Sequence, residues 1–150
     1  MDALKATAKL GLAVTAVEMT NVRNLIPTQN LVATALKNGF MWDVAHDAVN
    51  VVDNNNIKAS KYLNPQNRGY EIVDDVAFKS ASFVALKESG ALLKMMEYFE
   101  SVSPLSEQLT DNFVIGGAVG ATVLARNFID ANYEDSPVQY LTHITKALRE

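Results

Sequence analysis

A chain of 150 residues can bury a core of its own, and we expect a single helical domain over residues 1–150. A formal net charge of −4 with scattered Lys and Arg residues excludes the basic groove of a nucleic-acid-binding protein, so no nucleic-acid partner is expected. The absence of cysteine excludes disulfides and thiolate metal sites, and the N-terminal residues lack the apolar core and cleavage site of a classical secretory signal peptide.

Four prolines divide the chain into five segments with helical periodicity, because proline suits a first helical turn but not a helix interior. The predicted helices cover about 2–24, 28–53, 70–101, 104–131 and 137–149, and residues 54–69 form a predicted polar loop. The last helix is short and amphipathic, with an apolar row made of Val138, Leu141, Ile144 and Leu148. No two-residue alternation is sustained, so the pattern predicts an all-α, bundle-like fold of four longer helices plus this short one.

Small residues recur at helical spacing in the four longer predicted helices. Residues four apart lie above one another on a helix, so such rows leave a groove that a second helix can approach closely. We therefore expect helix-packing or interface positions at Gly116 and Gly120, at Gly117, Ala121 and Ala125 on the neighbouring row, and at Ala77, Ala81 and Ala85. Replacing Gly120 with leucine is expected to disrupt assembly.

The sequence leaves the environment of these helices open. Small-residue contacts suit a bilayer, and four crossings would gather most Lys and Arg residues on one side, as the positive-inside rule requires. Charged residues such as Lys37 and Lys79 interrupt the segments, however, at about 2.5–3.5 kcal/mol each at mid-span. Mean hydropathy is only +0.03. We favour membrane association, in which Lys79 would pair with Asp43 or Asp47, over a soluble bundle, in which Lys79 would lie on a solvated face. An oligomer that folds only by exchanging helices is the third alternative.

Asp43, His46 and Asp47 are spaced i, i+3 and i+4, so they lie on one helical face. Carboxylate and imidazole at this spacing can bind a metal, but bundles build such sites from two helices. The second histidine, His143, has Tyr140 where a carboxylate would stand. We therefore expect a polar helix face with His46 paired to a neighbouring aspartate, and no metal or cofactor. The glycines of 116–120 lack the spacing of a dinucleotide-binding fingerprint.

These patterns predict a non-catalytic helical structural subunit, membrane-associated and packed against copies of itself, other subunits or lipid. An ordered assembly such as a virion is the concrete form of this hypothesis. The alternative is a soluble helical-bundle adaptor or regulator that binds a partner helix or peptide in a groove. An enzymatic or ion-conducting role would require the Asp43, His46 and Asp47 face to meet Asp74, Asp75 or Lys79 in an interior pocket.

Overall fold

The computed structural model of the protein describes residues 2–132 and, beyond them, Lys146 and Leu148. The helices are α1 (Asp2–Met19), α2 (Leu31–Asn54), α3 (Pro65–Glu88), α4 (Ala91–Val102) and α5 (Glu107–Asn132), with short 3-10 turns at Val22–Leu25 and Ile57–Ala59. The described residues contain no strand, so the predicted all-α, bundle-like fold is confirmed for them. The helix predicted over 137–149 lies outside the described residues, apart from Lys146 and Leu148, which are both helical.

Local sequence signals account for the ends of α2 and the start of α3. The Asn30 side chain caps α2 by accepting a hydrogen bond from the Ala33 N–H at 2.8 Å. Asn55 ends α2 in the left-handed conformation, with φ 47°, which asparagine tolerates better than most residues. Pro65 stands in the first turn of α3, so the last part of the predicted polar loop is helical.

The helix predicted over 70–101 is in fact two helices. Gly90 has φ 76°, a left-handed conformation that interrupts a right-handed helix and that glycine adopts without strain. Helix α3 therefore ends at Glu88, and α4 starts at Ala91 in a new direction. This break allows α4 to lie against α5.

Two antiparallel helix pairs, α1 with α5 and α2 with α3, make the most extensive contacts. At the α2–α3 contact, a Cβ added to Gly39 would lie 2.7 Å from the Ser80 backbone nitrogen. At the α1–α5 contact, a Cβ added to Gly116 would overlap the carbonyl oxygen of Gly11. Glycine is required at both places because the two backbones approach more closely than a side chain permits.

The core lies where these pairs meet. It includes Trp42, which is 2% exposed, and Phe83, whose ring centroid lies 5.7 Å from that of Trp42. The Trp42 indole Nε1–H donates to Glu18 Oε1 at 3.3 Å, so its polar group is satisfied inside the bundle. The remaining buried apolar residues are Leu10, Val14, Ala35, Ala45, Ile115, Ala118, Val119 and Val123.

Only α5, over Glu107–Asp130, is both long and apolar enough to cross a bilayer among the described helices. Its most apolar part has a mean hydropathy of 1.3, and 33% of that part is buried inside the bundle. Of the four membrane-crossing helices considered from the sequence, α5 is therefore the only described one whose length and hydropathy support a crossing.

Candidate functional site

The polar face of α2 points into the bundle and meets charged residues from other segments. Asp43 is fully buried, while Lys79 of α3 and Lys61 of the α2–α3 connection are only 2% and 7% exposed. The prediction that Lys79 lies on a solvated face of a soluble bundle is therefore wrong. A buried charge needs a partner of opposite sign and hydrogen bonds, because the protein interior solvates ions poorly.

Asp43 has three partners, which together satisfy its carboxylate. Its Oδ1 accepts hydrogen bonds from Lys61 Nζ at 2.7 Å and from Lys79 Nζ at 2.8 Å. The Tyr62 hydroxyl donates to Oδ2 of the same carboxylate. Two ammonium groups thus occupy the positions around Asp43 Oδ1 where a metal ion would bind, which makes this face a poor cation site.

A second group of ion pairs connects α3 to α5. Lys61 Nζ also donates to Asp75 Oδ2, at 2.5 Å. The Arg126 guanidinium donates through Nη1 to Asp75 Oδ1 at 2.8 Å and through Nη2 to Asp74. Its Cζ lies 4.8 Å from the ring centroid of Phe78, a cation–π arrangement. Each cation in this group therefore faces at least one carboxylate.

The pKa shifts in the network follow from burial opposed by neighbouring charge. Burial alone would raise the pKa of Asp75, but Lys61, Lys79 and Arg126 outweigh it and hold this pKa below its usual value. Burial would lower the pKa of Lys61, but Asp75 and Asp43 raise it overall. For Lys79 burial prevails, and its pKa is lowered despite Asp43.

His46 lies at the edge of the network and is neutral at neutral pH. Burial, followed by the charges of Lys79 and Lys61, lowers its pKa from 6.5 to about 4. Its Nδ1 lies 3.2 Å from Lys79 Nζ. An ammonium group can only donate, so Nδ1 accepts and the imidazole proton lies on Nε2. The expected pairing of His46 with an aspartate is thus replaced by a hydrogen bond from a lysine.

Asp47 holds the α2–α3 connection against α2. Its two carboxylate oxygens accept hydrogen bonds from the Ser60 hydroxyl and, at 3.0 Å, from the backbone N–H of Lys61. This anchoring directs the Lys61 side chain towards Asp43. Burial, together with the hydrogen bond to Asp43, raises the pKa of the neighbouring Tyr62, which keeps that phenol protonated.

The structure therefore brings the Asp43, His46 and Asp47 face against Lys79 and Asp75. Two small polar cavities adjoin His46, one of about 120 Å³ beside Lys61 and one of about 210 Å³ beside Arg126. Both are smaller than the roughly 300 Å³ at which small-molecule sites begin. The charges here also neutralise one another. This arrangement links α2, α3 and α5 through paired charges.

Lys61, Tyr62 and Arg126 belong to this network but were not singled out from the sequence. Lys61 and Tyr62 fall in the predicted polar loop, where charge and hydroxyl groups are ordinary. Arg126 could have been recognised from the sequence as a candidate for ion pairing, because it follows the apolar stretch of α5 and lies four residues before Asp130. In the structure, Arg126 Nε lies 3.7 Å from Asp130 Oδ2.

The two glycine rows of α5 have different environments. Gly116 and Gly120 are buried against α1, where a Cβ on Gly120 would lie 2.9 Å from the carbonyl oxygen of Thr7. Gly117 lies on the neighbouring row, and a Cβ added there would meet nothing within 4 Å. Ala121 and Ala125 of this row are exposed. One row thus packs within the chain, and the other is open.

The predicted row on α3 is also open. Ala77, Ala81 and Ala85 are exposed, and α3 packs on α2 through the adjacent row that contains Ser80. The four-residue spacing identified a side-chain-poor face, but α2 packs on a different one.

Two apolar grooves open on the surface of the bundle. The α4–α5 groove has a volume of about 410 Å³ and is lined by Met95, Phe99, Leu105, Phe113, Gly117 and Ala121, among others. The α1–α2 groove has a volume of about 450 Å³ and is lined by residues that include Val17, Val22, Phe40, Met41 and Val44. Both volumes fall in the range of specific binding sites.

Comparisons of the chain with protein-family models, with curated proteins and with solved structures found no match.

Proposed function

We propose that this protein is a non-catalytic helical subunit that works by packing its exposed apolar helix faces against protein helices in an assembly. The observation that carries this proposal is the distribution of apolar side chains. Ten apolar residues are buried in the described part of the chain, whereas twenty-three bulky ones are exposed. Single exposed apolar residues are common, but contiguous apolar surface marks an interaction site.

The exposed apolar residues are partly gathered in the two grooves. Phe99 and Phe113 line the α4–α5 groove at 45% and 44% exposure, and Phe40 lines the α1–α2 groove at 50%. Aromatic rings in open grooves are typical anchors of protein interfaces. The open rows at Gly117 and Ala81 add faces on which a second helix can approach closely.

A protein partner accounts for these surfaces better than a bilayer does. Association with a membrane is supported by α5 alone, and this helix already contacts α1 and α4. A subunit with several separate apolar faces can contact several neighbours at once. It therefore suits an ordered, shell-like assembly, of which a virion is one example.

An adaptor that binds a helix of a different protein is the second candidate. It is favoured by the α4–α5 groove, whose open apolar form is typical of the grooves that take an amphipathic helix. The two candidates differ in the partner: an assembly subunit binds copies of itself, whereas an adaptor is monomeric until its target is present.

Sedimentation velocity of the full chain over a wide concentration range tests the proposal. We expect the average mass to rise with concentration in buffer without detergent, because the exposed grooves are buried between copies. A mass equal to one chain at every concentration would contradict self-assembly and favour the adaptor. A chain that sediments as a single species only in the presence of detergent or lipid vesicles would instead support a membrane protein.

A further inference from the structure

The α4–α5 groove is lined mainly by apolar residues, and the turn at one end of it is flanked by three carboxylates that do not themselves line the groove. Gly117 and Ala121 of α5 form its floor, and Met95 and Phe99 of α4 form one wall. Because no side chain projects from Gly117, the floor is open to a bulky group from outside. The groove runs towards the turn between α4 and α5, where Ser103 and Leu105 also line it.

Three carboxylates gather beside that turn: Glu100 at the end of α4, and Glu107 and Asp111 at the start of α5. One oxygen of each lies within 4.8 Å of the others. In the described part of the chain, no salt bridge links any of them to a cation. The hydrogen bond with Asp111, together with burial and the charges of Asp111 and Glu107, raises the pKa of Glu100 to about 7. A cation placed here would relieve this repulsion.

The same chain carries a segment with complementary chemistry. Residues 137–149 have the predicted apolar row described above, and Lys146 and Arg149 lie in the last turn of that predicted helix. The structure describes Lys146 and Leu148 of this segment as helical and exposed, with Leu148 83% exposed. The apolar row is thus uncovered by its own chain at Leu148.

We propose that the α4–α5 groove binds the 137–149 segment of a second copy of this chain, with its apolar row in the groove and Arg149 at the Glu100, Glu107 and Asp111 cluster. This inference rests on the proposed function. The contact joins different surfaces of the two copies, so it can repeat from copy to copy and build a ring or a filament.

Charge distinguishes this groove from the α1–α2 groove, which is of similar size. Near the latter, the Glu18 carboxylate is already paired with Arg23 Nη2 at 3.3 Å and accepts a hydrogen bond from Trp42. A basic segment gains nothing from a neutralised acid. The acidic end of the α4–α5 groove therefore selects the partner segment.

Two variants test the two sides of the contact. Gly117→Leu places a bulky side chain in the groove at a position where the Cβ itself meets nothing within 4 Å, and Leu148→Asp places a charge on the apolar row. Each should weaken self-association roughly tenfold or more, as loss of a central apolar contact does. Gly69→Leu and Leu12→Asp are the matched controls, because a Cβ on Gly69 meets nothing and Leu12 is 62% exposed outside both grooves. Both controls should associate like the wild type.

Mixing the two defective variants gives the sharpest result. The Leu148→Asp chain keeps an intact groove, and the Gly117→Leu chain keeps an intact segment, so the mixture should form heterodimers that grow no further. Failure of the mixture to associate would overturn the proposed contact. Circular dichroism of each variant alone shows whether it has folded.

Charge reversal provides an independent test. Arg149→Glu should weaken association, and adding Glu107→Lys in the same chain should recover part of it, because the introduced lysine reduces the repulsion between the cluster and the introduced glutamate. Wild-type association that none of these variants changes would overturn this inference but leave the proposed function standing. A wild-type chain that never associates would overturn both.

Discussion

Replacing Gly116 and Gly117 with alanine, one at a time, should change stability in opposite directions. The two glycines are neighbours in the middle of α5, so each substitution gains about 0.8–1.0 kcal/mol of intrinsic helix propensity. A Cβ on Gly117 meets nothing within 4 Å, and the full gain should remain. We therefore expect Gly117→Ala to raise the free energy of unfolding by about 1 kcal/mol.

At Gly116 the same methyl group has no room. It would overlap the Thr15 hydroxyl, which can rotate, and the Gly11 carbonyl oxygen, which cannot move without its helix. Forcing a methyl group into a packed contact typically costs about 1–3 kcal/mol. After the helix-propensity gain, Gly116→Ala should lose as much as about 2 kcal/mol. The difference between the two variants, about 1–3 kcal/mol, isolates the cost of separating α1 from α5.

Urea unfolding followed by tryptophan fluorescence measures this difference directly. Trp42 is the only tryptophan and is 2% exposed, so its emission reports loss of the core. Low protein concentration keeps association out of the measurement. The urea dependence of the unfolding free energy should be unchanged, so that the midpoint alone shifts.

The refuting result is equally specific. If Gly116→Ala is as stable as Gly117→Ala, α1 and α5 do not approach closely at Gly116 and the α1–α5 contact described above is wrong. Gly120→Ala provides a second position, because its Cβ would lie 2.9 Å from the Thr7 carbonyl oxygen. It should also be less stable than Gly117→Ala.

Two further predictions concern the buried charges. Asp43→Ala should cost about 3–5 kcal/mol of stability in urea unfolding, because Lys61 and Lys79 lose a shared carboxylate. Lys79→Met should cost less, since Asp43 keeps Lys61, and an equal cost would contradict this assignment. Stability should also depend on pH through His46, whose pKa is about 4 when folded and about 6.5 when unfolded. Between these values the unfolded chain binds more protons at His46, so the contribution of His46 to stability should fall by up to about 3 kcal/mol as the pH drops from 6.5 to 4. Glu100 acts in the opposite direction, because its pKa is raised to about 7 in the folded chain. His46→Gln should remove this fall and His143→Gln should not; a His46→Gln variant with the wild-type pH dependence would refute the burial of His46.

The charge network bears more on the uniqueness of the fold than on its total stability. Within the network, the carboxylates of Asp43, Asp74 and Asp75 balance the positive charges of Lys61, Lys79 and Arg126. Buried ion pairs often contribute little net free energy, because desolvation offsets their attraction. A shift of α3 along α2 would leave Lys79 without Asp43, however, so the network penalises other alignments of the two helices.

Several structural features could be predicted from local sequence because they depend on neighbours along the chain. Apolar periodicity and the prolines predicted the helices, and the i, i+3, i+4 spacing placed Asp43, His46 and Asp47 on one face. The break at Gly90 was missed, although a glycine following Ser89 is a common helix end. The strong apolar pattern on both sides of Gly90 favoured a single helix.

By itself, the sequence determined that this protein is helical and that α5 offers glycine rows for close contact. Only the tertiary structure decided that Gly116 and Gly120 pack on α1 while Gly117 stays open, and that Lys61 and Lys79 share Asp43 inside the bundle. The physical reason is that hydrogen bonding and periodicity within a helix act over a few residues. Which face is buried depends on partners such as Gly11, more than a hundred residues from Gly116 along the chain.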